Sequence, residues 1–395
     1  MVPEGWNRIA LEKIAEVRTG VAKGKKDLKA PIEVPYLRVA NVQDGHVDLN
    51  EVKTIQIERD KLERYSLKYG DVLMNEGGDY DKLGRGDVWL GQIEPCLHQN
   101  HVFAVRPNQD IIDPFFLAAL AASHYGKTYF LSCAKRSTNL ASINSTQLKE
   151  FPVLVPPLPE QKKIAQILST WDKAITTTEQ LLANSQQQKK ALMQQLLTGK
   201  KRLLDKNGVR FNGEWKRVEL GDLLDYHQPT PYLVESTEYS DDFSTPVLTA
   251  GKTFILGYTD ETSGIFSEKL PVIIFDDFTT DSKFVDFPFK VKSSAMKILT
   301  AKKGVSIKYV YEAMQLLDFA VGGHQRHWIS IYSRLVIPFP GIEEQQKIAA
   351  VLSTADREIS ALQQKLDALK QEKKALMQQL LTGKRRVKID DKEVA

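Results

Sequence analysis

Cysteine is almost missing from this chain: Cys96 and Cys133 are the two among 395 residues, too few for a disulfide framework or a four-thiolate zinc site. Long apolar runs are missing too. No stretch approaches the roughly 20 uninterrupted apolar residues that a membrane helix needs, and the opening MVPEGWNRIALEK has no apolar h-region. The expectation is a protein of a reducing, cytoplasmic compartment that does not enter a membrane. Charge of one sign is not in surplus either, since 54 Lys and Arg face 50 Asp and Glu for a net +4. That balance permits a nucleic-acid partner without demanding one. With 42% hydrophobic and 9% aromatic residues, disorder and collagen-like repeats are excluded, and the length fits two or three domains.

What the chain does contain is a large internal repeat. The string KKALMQQLLTGK stands at 189–200 and again at 373–384, and aligning 160–203 with 344–387 gives 26 identities in 44 positions. Both copies have the period of long helices. In the second, Leu352, Ala355, Ile359, Leu362, Leu366, Leu369, Leu376 and Leu380 advance by alternating threes and fours, the seam of a coiled coil, interrupted at Lys373. The first copy carries apolar Leu168, Trp171, Ile175, Leu182, Leu192 and Leu196, while Thr178, Ser185 and Lys189 fall on the seam and are expected to loosen it. Pro156, Pro157 and Pro159 punctuate the entrance to the first helix. Gly199 and Gly383 stand where a left-handed residue would stop each one. About 40 residues at 1.5 Å each make a rod of roughly 60 Å.

The segments 1–157 and 203–341 are each large enough to fold alone, are rich in short β-type runs, and resemble one another weakly. Trp6, Arg8 and Leu11 match Trp215, Arg217 and Leu220. VPYLRVANVQDG (34–45) parallels TPVLTAGKTFILG (245–257), and GDVLMNEGG (70–78) parallels PVIIFDDF (271–278). DPFFLAALAASHYG (113–126) parallels IKYVYEAMQLLDFAVG (307–322), both with the look of helices, and FPVLVPPLPEQ (151–161) parallels LVIPFPGIEEQ (335–345). The predicted fold class is α+β: two mixed α/β globules at 1–157 and 203–341, and long helices at 158–202 and 342–386 that pair as an antiparallel coiled coil, with a tail at 387–395. A pseudo-two-fold then relates the halves, with a globule at each end of the stalk. A plain dimerisation coiled coil is the blander alternative.

The paired helix starts PLPEQKKIAQIL and GIEEQQKIAAVL, the duplicated KKALMQQLLTGK ends and the two dissimilar α/β segments resemble the specificity subunit of type I restriction-modification systems, over essentially the whole chain. The resemblance implies that each globule is a target recognition domain reading one half of a bipartite, non-palindromic site in double-stranded DNA. It also implies that the rods fix the spacer and dock two methyltransferase subunits, which use S-adenosylmethionine to methylate adenine N6. Restriction subunits, which bind ATP and Mg, join for cleavage, and the chain itself holds no cofactor or metal. The rod residues expected to face those partners are Gln187, Lys190, Gln194 and Gln195 in the first copy and Lys374, Gln378 and Gln379 in the second, although a solvated helix face reads the same way. The run YLVESTEYSDDFSTPVLTAGKTFILGYT with the later VIIFDDFTT is similar to a recognition-domain type associated with the half-site GAA.

Base reading in the major groove needs Arg, Lys, Asn, Gln, Ser or Thr on loops or strand ends, backed by phosphate contacts. In the first globule the candidates lie in AKGKK (Lys25, Lys26), GGDYDKLGRG (Lys82, Arg85), HQNH (His98, Gln99, Asn100) and KRSTN (Arg136, Asn139). In the second they lie in TAGKT (Thr249, Lys252), DDFTTDSK (Thr279, Lys283), KVKSSAMK (Lys292, Ser293) and GGHQRHW (Gln325, Arg326, His327). Arg326 suits guanine and Gln325 adenine. A zinc reading of HQNH fails because alternate strand residues face opposite ways and no cysteine pair accompanies it.

Enzymatic readings have less behind them. AGKT at 250–253 imitates the end of a P-loop, but the first glycine would fall at Pro246. DPFF lacks the second proline of an amino-methyltransferase tetrapeptide. Asp276, Asp277 and the DSK of Asp281 to Lys283 could mimic a metal-dependent nuclease, a motif without a twin in the other globule. A coiled-coil scaffold without DNA specificity is the third class.

Overall fold

The computed structural model describes the whole chain except residues 1, 24–27, 79, 81–82, 85, 137–139, 250–252, 319–326 and 390–395, and the side chains of residues 327 and 330. The chain divides into two compact units, Met1–Glu179 with Lys365–Ala395, and Gln180–Gln364. The boundary falls inside both long helices, Leu158–Leu196 and Ile342–Leu380, each of 39 residues.

In the first unit an antiparallel sheet runs in the order Ala15–Thr19, Val102–Pro107, Val72–Asn75, Gly86–Val88. Its inner strands are continuous apolar runs because they are covered on both faces: Val72, Leu73, Met74, Val102, Phe103, Ala104 and Val105 are all buried. A second sheet sets Pro31–Leu37 between Leu97–His98, parallel, and Lys53–Glu58, antiparallel. Asn7–Ala10 pairs with Pro152–Val155 just ahead of the first long helix. The second unit repeats all three sheets. Leu224–His227, Met296–Ala301, Val272–Asp276 and Ser282–Val285 form the four-stranded one. Thr245–Leu248 lies between Ile255–Thr259 and Lys290–Val291, and Lys216–Glu219 pairs with Val336–Phe339. The strand parallels read from the sequence therefore correspond to equivalent places in the two units.

One parallel needs a shift. The run from Asp113 is two helices, Pro114–Ala122 and His124–Cys133, broken at Ser123, whose hydroxyl caps the second. Its counterpart begins at Ile307, capped by Ser306. The backbone N–H of Asp113 donates to Gln161 Oε1 at 2.7 Å and that of Ser306 to Gln345 Oε1 at 2.9 Å. Asp113 therefore corresponds to Ser306, one residue off the sequence match.

Within each unit the long helices run antiparallel, because partner numbers fall on one as they rise on the other. In the first unit Arg386 pairs with Glu160, Lys373 with Asp172 and Lys370 with Glu179. In the second Arg202 pairs with Glu344, Lys189 with Asp356, and Ser185 with Glu358. Leu168, Leu182, Leu196, Leu352, Leu366 and Leu380 are buried along the seam. Of the polar seam positions, Ser185 and Lys189 have a partner on the facing helix and so are not the loose points expected, whereas Thr178 turns back onto its own helix. Thr178 donates to the Ala174 carbonyl at 2.8 Å, Ser185 to Glu358 Oε1 at 3.0 Å, and Lys189 to Asp356. Gly199 at φ 73° and Gly383 at φ 67° end the helices. Among the described residues no helix is long and apolar enough to cross a membrane.

Candidate nucleic-acid interface

Four candidate strings of the first unit meet along one backbone path. Val21, at the head of AKGKK, bridges Gln99, and the N–H of Asn100 donates to the Val21 carbonyl at 3.0 Å. Gly20 permits this approach, since a Cβ there would lie 2.0 Å from the His98 carbonyl oxygen. The Glu76 N–H donates to the His101 carbonyl at 3.0 Å. Gly77–Gly78 then pairs with Ala141–Ser142, which pairs with Lys135–Arg136. Exposed Arg136 lies 6.0 Å over the ring of Tyr80 and donates to the Leu131 carbonyl. Lys25, Lys26, Lys82, Arg85 and Asn139 lie outside the described residues.

His98 does not belong to that surface. Its Nδ1 lies 2.6 Å from the Val102 carbonyl oxygen and the side chain is buried. Burial lowers its pKa to about 4, so the ring is neutral at physiological pH. The strand Leu97–His98 turns it into the core, while His101, three residues on, faces solvent against Glu76 at 2.5 Å. His98 is thus corrected from contact candidate to core residue. Gln99 and Asn100 are half-buried and stay on the edge. Neither cysteine is poised for chemistry: burial pushes the Cys96 thiol up to about 12 and raises that of Cys133.

Two strings of the second unit stand at strand ends equivalent to those of the first, DDFTTDSK after Val272–Asp276 and KVKSSAMK at Lys290–Val291, whereas TAGKT follows Thr245–Leu248, the counterpart of Pro31–Leu37 and not of the strand before AKGKK. The Lys292 N–H donates to the Leu248 carbonyl at 2.9 Å, joining KVKSSAMK to TAGKT, and the Asp277 N–H donates to the Ala295 carbonyl at 3.3 Å. Asp277 Oδ1 accepts from the Trp328 N–H at 2.8 Å, which brings in GGHQRHW. Asn75 pairs with Val102 in one sheet as Asp276 pairs with Met296 in the other, so GGDYDKLGRG and DDFTTDSK leave homologous positions. Lys292, Thr279 and Lys283 are exposed, with Lys292 5.7 Å over the Tyr239 ring, whereas Thr249 and Ser293 are half-buried. Lys252, Gln325 and Arg326 lie outside the described residues, as does the side chain of His327. Trp328 is core, its ring 5.2 Å from that of Phe275.

The nuclease-like carboxylates serve the fold here. Asp277 is fully buried and faces the buried Lys297 ammonium at 3.5 Å, which also lies 5.2 Å over the Tyr226 ring. Asp276 Oδ1 accepts from the backbone N–H of Phe278 at 2.8 Å. Among the described residues no group of three or more His, Cys, Asp or Glu is placed to hold a metal ion.

Two side-chain sets escaped the sequence reading. At each helix entrance a buried glutamate takes a fork from an arginine and a hydrogen bond from a tryptophan. Arg386 Nε and Nη2 donate to Glu160 at 2.6 and 2.7 Å, and Trp6 Nε1 at 3.2 Å. Arg202 donates to Glu344 at 2.6 and 2.7 Å, and Trp215 at 3.0 Å. The carboxylates raise both arginine pKa values. Glu160/Glu344 and Arg202/Arg386 are identities in the repeat and Trp6 matches Trp215 in the globules, which was the available signal. The second set is a tetrad on the helix seam. Lys189 and Lys308 each meet both Asp356, at 2.5 and 2.9 Å, and the fully buried Glu312, at 3.1 and 2.8 Å. Burial of Asp356 opposes its ionisation, but the two ammonium groups hold its carboxyl below the ordinary range. The rod residues Gln187, Lys190, Gln194, Gln195, Lys374, Gln378 and Gln379 are all exposed. Gln378 lines a cleft of about 480 Å³ with Arg8, His124, Tyr129 and Met377.

Comparison with known proteins gives a consistent picture. A family model for the type I restriction modification DNA specificity domain matches residues 3–184 and 212–371. The Escherichia coli EcoR124I/EcoR124II specificity subunit is 51% identical over 158 residues, 39% of this chain and 38% of its own length. The chain thus spans little more than a third of that relative. The Methanocaldococcus jannaschii sequence assigned as the type I restriction enzyme MjaX specificity subunit is 28% identical over 416 residues, 98% of this chain and 95% of that one. The crystal structure of the type I system S subunit from M. genitalium covers 96% of this chain and 99% of its own with a TM-score of 0.64 at 12% identity, a likeness of fold.

Proposed function

Because the family model spans most of its length, the chain belongs to the type I restriction-modification DNA specificity family, and we propose that its two units read the two parts of one bipartite, non-palindromic DNA site. The observation that carries this reading is that in each unit polar segments join beside homologous strand ends, after Asn75 and Asp276 and at Leu97–His98 and Lys290–Val291. In this reading the segments 1–157 and 203–341 are the readers. The helices 158–202 and 342–386 hold them at a set interval, so the half-sites recur at one separation and one rotational phase of a duplex that turns every ~10.5 base pairs. Gln187, Lys190, Gln194, Gln195, Lys374, Gln378 and Gln379 dock two adenine-N6 methyltransferase subunits. S-adenosylmethionine belongs to those partners, and ATP and Mg to restriction subunits. The chain itself is non-catalytic and works in the cytoplasm.

Co-purification with the cognate methyltransferase, followed by genome-wide mapping of methylated adenines, tests the scheme: a gapped two-part motif is expected and a continuous motif overturns it. The second unit reads GAA in this proposal, and unchanged protection of duplexes with that triplet scrambled sinks this part alone. A scaffold without DNA specificity predicts binding indifferent to salt and sequence, whereas counterion release predicts a steep fall with salt. Magnesium-dependent nicking that disappears in Asp277→Ala would restore the nuclease reading.

A further inference from the structure

Phe278 and Ile329 are large apolar side chains left 44% and 59% exposed on the loop cluster of the second unit. Their backbones are held firmly. Asp276 Oδ1 accepts from the Phe278 N–H at 2.8 Å and Asp277 Oδ1 from the Trp328 N–H at 2.8 Å, so one turn carries Phe278 and clamps the residue before Ile329. The clamp is anchored in the core: Asp277 faces buried Lys297, and the Trp328 ring packs against Phe275 and Tyr332. A buried charge pair and a buried indole thus fix the segments from which two hydrocarbon side chains meet water. Exposed apolar groups rimmed by polar ones mark a contact surface. The exposed polar residues of that turn and the adjoining strand ends include Thr279, Asp281, Lys283 and Lys292, two cations against one carboxylate, a net positive charge that complements a phosphate backbone. In the major groove the apolar feature presented beside phosphates is the C5-methyl of thymine.

We propose that Phe278 and Ile329 of the second unit read thymine C5-methyl groups in its half-site. The inference rests on the DNA-reading function proposed above and assigns one part of its chemistry. If the half-site is GAA, its complement offers two such methyls.

The full-length chain, with its methyltransferase partners, is titrated with three kinds of duplex. These are the mapped site, the same site with each second-half thymine replaced by uracil, and a site scrambled in that half. Removing one methyl from a buried contact weakens binding about fourfold. Wild type is expected to lose about that much for at least one uracil, and Phe278→Ala or Ile329→Ala to bind the thymine and uracil duplexes alike. Equal wild-type affinity for thymine and uracil duplexes, with the scrambled duplex still rejected, overturns the inference and leaves the function standing. Equal affinity for all three overturns both. Variants that keep the wild-type thymine-to-uracil ratio but lose the methyltransferase assign the patch to a protein partner and overturn the inference as well.

Discussion

At the helix entrances the two units are near copies. Each has a buried glutamate, a bidentate arginine at 2.6 and 2.7 Å and an indole N–H on the same carboxylate. Halfway along the seam they part. The first unit has Asp172 with Lys373, 54% and 25% exposed, and nearby Asp87, whose pKa is raised mainly by burial and also by the Asp172 charge. The second joins Asp356 and Lys189 to Lys308 and Glu312 of the helix Ile307–Met314. The chain therefore repeats its chemistry where the rod itself must be closed, and diversifies it where a particular globule is fastened to the rod. A repeated frame can then carry unlike globules.

The largest expected effect breaks the shared motif. Glu344→Ala strands Arg202, 20% exposed, and Trp215, and is expected to cost about 3 kcal/mol. Glu160→Ala costs less, about 2 kcal/mol, because Arg386 is 45% exposed and water can take the place of the carboxylate. Denaturation midpoints of the two variants, with hydrogen exchange to show which unit opens, check the ranking. Equal losses refute it.

A pH difference comes next. His98 is neutral in the fold with a pKa of about 4 against an ordinary 6.5, so the unfolded chain binds its proton first. Stability from this source is whole above pH 6.5 and falls as pH drops towards 4, by on the order of 2–3 kcal/mol. Asp87, with its raised pKa, works the opposite way in the same unit and offsets part of the loss. The equivalent strand of the second unit, Lys290–Val291, has no histidine. Acid is therefore expected to loosen the first unit before the second, and His98→Gln to flatten that slope in thermal melts between pH 6.5 and 4.

Glu312→Gln sharpens the contrast at the seam. It leaves Lys189 and Lys308 sharing one carboxylate, at a cost of about 2 kcal/mol. Lys373→Met on the more exposed counterpart costs less than about 1 kcal/mol. Paired urea titrations decide this. Smallest is Lys292→Ala, which is expected to weaken all duplexes alike and reduce the salt slope by about one unit in filter binding; a sequence-dependent loss would make Lys292 a base reader.

Much of this frame was legible because its signals are periodic. The 184-residue offset, the helix seam and the central strands follow from spacing alone. The clasps were not, since Glu160 and Arg386 are 226 positions apart and no local pattern joins them. His98 was not legible as core because HQNH has the polarity of a loop, whereas Leu97–His98 is a two-residue strand with both side chains buried. The break at Ser123 was hidden because the alanines before it are strong helix formers and a single serine does not by itself announce a cap.

The first unit needs the end of the second long helix and the residues just beyond it. Its core includes Leu380 and Leu381, and its clasp needs Arg386, while the second unit is one continuous stretch, Gln180–Gln364. On the ribosome the module translated first is therefore the one finished last. A premature stop shortly before codon 376 would disable the unit translated first, and spare the one translated just ahead of the stop.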